Sequence, residues 1–96
     1  MHAIIRSYSG AGANELFDLI ELRNADIEKL LGQVPGFVSY TLIRNADGGQ
    51  TVTVCRDKTG TDESTRVARE WIQQNAPDLK VSPPTVSEGA VPFQVP

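Results

Sequence analysis

The chain has 96 residues, a net charge of −3 and a 40% apolar content, which fits one domain with a modest core. Its nine Lys and Arg are scattered with no basic stripe, which excludes nucleic acid and anionic membrane surfaces as main partners. A single cysteine, Cys55, allows no intrachain disulfide and no CxxC metal pair, and no apolar run is long enough to span a bilayer.

His2 to Tyr8 alternates, with Ala3, Ile5 and Ser7 on one side and Ile4, Arg6 and Tyr8 on the other. This reads as a first strand. A strand this early, with no charged and apolar leader before it, gives the expectation of a cytoplasmic protein. Ser9 to Ala13 is a turn, and Asn14 is placed to cap a helix from Glu15 to Gly32. Leu16, Ile20, Ile27, Leu30, Leu31 and Val34 share one face of that helix, and Gly32 and Pro35 end it.

Phe37 to Arg44 reads as a second strand, and Asn45-Ala46-Asp47-Gly48-Gly49 as a hairpin turn. Gln50 to Asp57 is a third strand, with Val52 and Val54 opposite Thr51, Thr53 and Cys55. Thr61 or Asp62 is placed to cap a second helix running to about Asn75, with Val67, Ala68, Trp71 and Ile72 as its apolar stripe. Pro83-Pro84 resists a central strand, so the last strand is expected over Val86 to Val91. The apolar tail, Val91 to Pro96, either docks on a partner subunit or is a frayed end.

The order is βαββαβ. It predicts a single ferredoxin-like domain over residues 1–96, an antiparallel sheet with two helices on one face. Both sides of the strands are apolar: Ile5 opposes Ile4 and Tyr8, and Phe37 and Ile43 oppose Val38, Tyr40 and Leu42. A sheet with one wet face alternates more cleanly. A second copy of the chain is the economical cover, so a homodimer through the exposed sheet face is expected.

Three residues stand out as candidate ligand-binding groups. Arg23 lies seven residues after Leu16 and four before Ile27, at the centre of the first helix's stripe. A charge there is expensive unless paired or solvated. It faces a cleft as a counter-charge for an acidic or phenolate-like ligand, or it snorkels, or a local kink carries its head to water. Trp71, the sole tryptophan, either fills the helix–sheet gap or stacks on a flat ligand there. Tyr40 could orient a substrate hydroxyl. Arg6, Ser7, Tyr8, Thr53 and Cys55 are the other well-placed polar groups on the strands, but alternation does not say which set faces the helices. Cys55 reads as a small buried filler. His2 is the sole histidine, so neither a catalytic triad nor a metal site is expected.

The segment Pro35-Gly36-Phe37-Val38-Ser39-Tyr40 resembles the dimeric α+β barrel superfamily that includes the antibiotic-biosynthesis monooxygenases. Proline stops the helix, glycine turns the chain and the aromatic starts a buried strand. Glu63-Ser64, Val67-Ala68, Trp71-Ile72, Asn75, Pro77-Asp78-Leu79, Pro83-Pro84 and Glu88-Gly89 resemble a small subgroup that brings no assigned reaction. The resemblance implies a dimeric α+β barrel with ligands held between helices and sheet. It implies a protein that binds a small molecule or a partner.

The alternative it implies is a cofactor-independent monooxygenase acting on an electron-rich aromatic, with Arg23, Tyr40 and Trp71 around the substrate. No cofactor is expected in either case. The superfamily's haem-degrading branch pairs a tryptophan at the position of Trp71 with an asparagine on the first strand and a histidine ten residues past the tryptophan. Here that strand offers Arg6, Ser7 and Tyr8, and the histidine position is Val81.

Overall fold

The computed structural model describes residues 1–96. The elements are β1 (His2–Ser9), α1 (Ala13–Leu22), α2 (Asn24–Gly32), β2 (Phe37–Asn45), β3 (Gly48–Cys55), α3 (Lys58–Asn75) and β4 (Thr85–Ala90). The four strands form one antiparallel sheet in the order β2-β3-β1-β4, the ferredoxin-like arrangement. Residues of α1, α2 and α3 meet the same set of strand side chains, so all three helices cover one face. No helix is long and apolar enough to cross a membrane.

The register decides which set of strand residues meets the helices. Ile4 opposes Thr53 and Arg6 opposes Thr51, and facing pairs share a side of the sheet. Ile4, Arg6, Tyr8, Thr51, Thr53 and Cys55 therefore lie under the helices. Ala3, Ile5, Ser7, Gln50, Val52 and Val54 point to the uncovered side. A register shift in β2 between Phe37 and Ser39 marks a bulge at Val38. The extra residue brings Phe37 onto the same face as Tyr40 and Leu42. Strict alternation had placed Phe37 opposite them.

The single helix expected over Glu15–Gly32 is two helices, broken at Arg23. An unbroken helix would hold a guanidinium on the buried stripe. The break turns Arg23 outward, where its Nη2 lies 2.6 Å from the Asp26 carboxylate. Leu16, Phe17 and Ile20 from α1 and Ile27 and Leu31 from α2 still reach one core, with Val34, Cys55 and Trp71. Gly12, not Asn14, precedes the first turn of α1, in a left-handed conformation. A Cβ there would meet the Lys80 carbonyl, so the 79–84 connection packs directly on this glycine.

Helix α3 starts earlier than Thr61. Asp57 is its cap, accepting from the Gly60 N–H at 3.1 Å. Thr61 and Ser64 are instead buried in the first turns, where their hydroxyls donate to the Lys58 and Thr61 carbonyls. Gly60 permits this close docking. A Cβ on it would lie 2.7 Å from the Cys55 Cβ and 2.9 Å from the Pro35 carbonyl oxygen.

On the uncovered face Ile5 and Val52 are half-buried and Val38 and Ile43 are exposed. Strand β4 is exposed along its whole length and pairs with β1 alone. Beyond it Phe93 and Val95 are also exposed.

Because both neighbours of Gly60 are packed backbone or core atoms, Gly60→Ala is expected to overpack the α3–β3 contact. The loss should be about 1–3 kcal/mol, read as a lower urea midpoint. An unchanged midpoint would show that α3 can back away from β3 freely.

Candidate functional site in the helix–sheet cleft

Strand alternation and two helical stripes converge on a small cavity. Arg6 and Tyr8 come from β1, Tyr40 from β2, and Thr51 and Thr53 from β3. Ile20, Ile27, Leu30 and Leu31 form one wall, and Ser64, Ala68, Trp71 and Ile72 of α3 form the other. The enclosed volume is about 40 Å³. It adjoins a groove of about 520 Å³ between β1, β4, α3 and the 81–84 connection. Arg6, Tyr8, Ala68 and Ile72 line both, so the cavity is the inner end of the groove. A second groove of about 630 Å³, between α1, α2 and β2, shares Ile20, Ile27, Leu31 and Tyr40 with the cavity.

Arg6 is buried, at 7% exposure. Its Nη2 donates to the Thr65 hydroxyl, which itself donates to the Thr61 carbonyl at 3.0 Å. No carboxylate lies within ion-pair distance of Arg6. Burial pulls its pKa down, and the phenols of Tyr8 and Tyr40 pull the other way. Burial holds the Tyr40 phenol up at about 12, helped by Tyr8 and opposed by Arg6. Burial likewise raises Tyr8, against Arg6 and Arg69. Both phenols are therefore O–H donors at neutral pH. Tyr8 is fixed by an edge-on contact with the Phe17 ring, 5.7 Å between centroids. The Thr53 hydroxyl is buried with no hydrogen-bond partner.

The cavity lining holds one charge, Arg6, and no Asp, Glu, His or Cys. Acids line only the two adjoining grooves, Asp62 and Glu88 the first and Glu21 and Glu28 the second. Cys55 is fully buried beneath α3, and burial, with Asp57 adding, pushes its thiol pKa up. No cluster of three or more His, Cys, Asp or Glu could hold a metal ion. The arrangement can desolvate a small group, donate hydrogen bonds to it and offset a negative charge. It has no group suited to taking a proton at neutral pH.

Of the three residues singled out by the sequence, two meet here. Tyr40 and Trp71 line the cavity from opposite sides, and Trp71 is also part of the core at 8% exposure. Arg23 does not reach it. The local break has carried its head to solvent beside Asp26. The buried cation of the cleft is Arg6. The sequence signal for it was present: Arg6 shares a strand face with Ile4 and Tyr8, and only the unknown identity of the covered face hid its position.

A scan against protein-family models finds no match, and a search of curated proteins finds none either. Solved structures do match over nearly the whole chain. The heme-degrader MhuD of Mycobacterium tuberculosis, with two hemes bound in its active site, is 19% identical with a TM-score of 0.71, covering 100% of each chain. The ActVA-Orf6 monooxygenase of Streptomyces coelicolor, in complex with nanaomycin D, is 17% identical with a TM-score of 0.63, covering 98% of this chain and 88% of its own. A dimeric ferredoxin-like protein from an uncultured marine organism is 12% identical with a TM-score of 0.65, covering 98% of this chain and 94% of its own. This chain folds as they do. The ferredoxin-like fold expected from the order of elements is the fold observed. At such identities the likeness concerns fold alone.

Tyr40 makes the electrostatics measurable. Its phenol holds its proton to about pH 12, against 10 in the unfolded chain. The folded state binds that proton more tightly. The stability it confers is complete below pH 10 and is lost as pH rises towards 12, by about 2–3 kcal/mol in all. Tyr40→Phe is expected to flatten the alkaline decline seen in urea unfolding between about pH 10 and 12. A decline as steep as the parent's would overturn this assignment.

Proposed function

We propose that this protein is a homodimer that binds a small organic molecule between its helices and its sheet. One observation carries the binding reading. A polar-floored cavity, with the unpartnered Thr53 hydroxyl and the unpaired Arg6 on its lining, opens directly into a groove walled by Ile4, Ile72, Val81, Pro83 and Val86. A buried polar group without a partner is rare in a finished core. The enclosed part is far smaller than the roughly 300–1,000 Å³ of small-molecule sites, whereas the adjoining groove lies within that range. The ligand body therefore belongs in the groove and only one end in the cavity. The ligand-bound monooxygenase of the same fold supports this reading.

The dimer reading rests on the uncovered face. Ile5, Val38, Ile43 and Val52 cross it on three strands, and Phe93 and Val95 extend beyond β4. A patch of this kind marks an interaction surface, and a protein of the same fold is dimeric. Light scattering at micromolar concentration is expected to give twice the chain mass, and Ile5→Glu together with Val52→Lys to give one. A parent of single-chain mass would end the proposal.

Haem does not fit this lining. No histidine or cysteine faces the cavity or either groove, and Val81 stands where the haem-degrading branch has its histidine.

A second reading is favoured by Arg6 lying among the phenols of Tyr8 and Tyr40: oxygenation of an electron-rich aromatic whose own electrons reduce oxygen. Positive charge and hydroxyl donors stabilise an oxyanion on such a substrate. Oxygen uptake with a panel of anthrols, quinols and flavonols tests it. Uptake that falls at least tenfold in Arg6→Gln supports an oxygenase. Quenching of Trp71 fluorescence by the same compounds, without uptake, supports binding alone.

A further inference from the structure

The cations of the chain are unevenly matched. Arg23, Arg44, Lys58 and Arg66 each have a carboxylate within 4 Å. Lys29, Arg56 and Lys80 have none and are exposed. Arg6 and Arg69 have none either and line the groove, and of these five Arg6 alone is buried. The two acids on its wall are already engaged elsewhere. Asp62 lies 2.8 Å from Lys58, and Glu88 lies 3.4 Å from Lys58 and 3.5 Å from His2. Both acids thus contact Lys58, and Glu88 acts on Arg6 only from beyond ion-pair distance.

A guanidinium has five N–H donors, and the side-chain acceptor of Arg6 is the Thr65 hydroxyl alone. Keeping an unpaired guanidinium out of water is expensive unless something anionic meets it. Apart from the Trp71 indole, every other polar side chain lining the cavity is a hydroxyl. The hydroxyls of Tyr8, Tyr40 and Thr53 line the same cavity and are of the kind that donates to an anion.

We propose that the ligand is a small organic carboxylate with an apolar body, its carboxylate set against Arg6 in the cavity and its body along the groove. This rests on the binding reading above and adds the ligand's chemistry. A carboxylate matches the guanidinium fork with two oxygens. The cavity of about 40 Å³ admits a group of that size, since a water needs only about 10–15 Å³. A neutral phenol would leave the Arg6 charge unmatched, whereas a carboxylate is already ionised at neutral pH. A phosphate dianion would require a second cation inside, and Arg69 lines the groove but not the cavity. Ile4, Ile72, Val81, Pro83, Pro84 and Val86 provide the apolar track.

The test is calorimetric titration of the full chain with 2-naphthoate, 2-naphthylmethanol and 2-naphthylmethylamine, three probes of one shape and different charge. The acid is expected to bind at least tenfold tighter than the alcohol, with the amine weakest. In Arg6→Gln the acid and alcohol should bind alike. Alcohol binding as tight as acid binding in the parent would overturn the carboxylate assignment and leave the binding reading standing. No heat from any probe, with no shift of the Ala68 and Ile72 methyl resonances, would overturn both. Arg6→Met provides a second readout. With the unpaired charge gone, its ligand-free melting temperature is expected to equal or exceed the parent's while the preference for acid disappears. A lower melting temperature with the preference intact would show that Arg6 serves the fold and not the ligand.

Discussion

The pairing register of β1 with β3 decides what the helices cover. Side chains alternate along a strand, so a slip of one residue would exchange the two faces. With Ile4 opposite Thr53 and Arg6 opposite Thr51, the covered face of the sheet's centre is unusually polar. The opposite face receives Ile5, Val52 and Val54. The more apolar side of these two central strands is thus the side the helices leave open. Two consequences come from that one constraint. The cleft acquires a cation and hydroxyls, and the uncovered side acquires the character of an interface.

Two arginines at apolar positions meet different fates, and the difference is mechanical. Arg23 lies on a helix, whose hydrogen bonds can be interrupted at one residue while the segments on either side keep packing. The chain uses that freedom, and Arg23 pairs with Asp26 in solvent. Arg6 lies on a strand paired on both edges, with β3 and with β4. A strand held on both sides cannot rotate one residue outward without breaking the ladder on each. Arg6 therefore stays under α3, held by Thr65.

Much of the fold was legible in the sequence because turns and periodicity are local signals. Pro35-Gly36, the hairpin around Asp47, and the stripes through Leu16 and Trp71 fix element order directly. The errors fall where a local rule competes with a tertiary one. Thr61 looks like a helix cap but is a buried first-turn residue, because Asp57 caps and Gly60 lets the helix sit on Cys55. Phe37 looks opposed to Tyr40 until the bulge at Val38 is known. Within the site, Tyr40 and Trp71 were legible as aromatic residues on the right elements. Arg6 was not, because its meaning depends on which face is covered, and that is a property of packing.

The cleft is also a place where the fold is less finished than elsewhere. Most of the core is apolar and densely joined, from Phe17 and Leu16 to Trp71. The Thr53 hydroxyl and the Arg6 guanidinium interrupt it on the same cavity lining, from β3 and β1, and neither has the full set of partners its chemistry calls for. A chain optimised for stability alone would hold valines or methionines at such positions. Polar groups left short of partners around a shared cavity act together, because one acceptor placed between them satisfies them all. The same low dielectric that makes each costly alone strengthens each bond once that acceptor arrives. The incompleteness of this corner of the core is therefore the physical basis for the binding proposed for it.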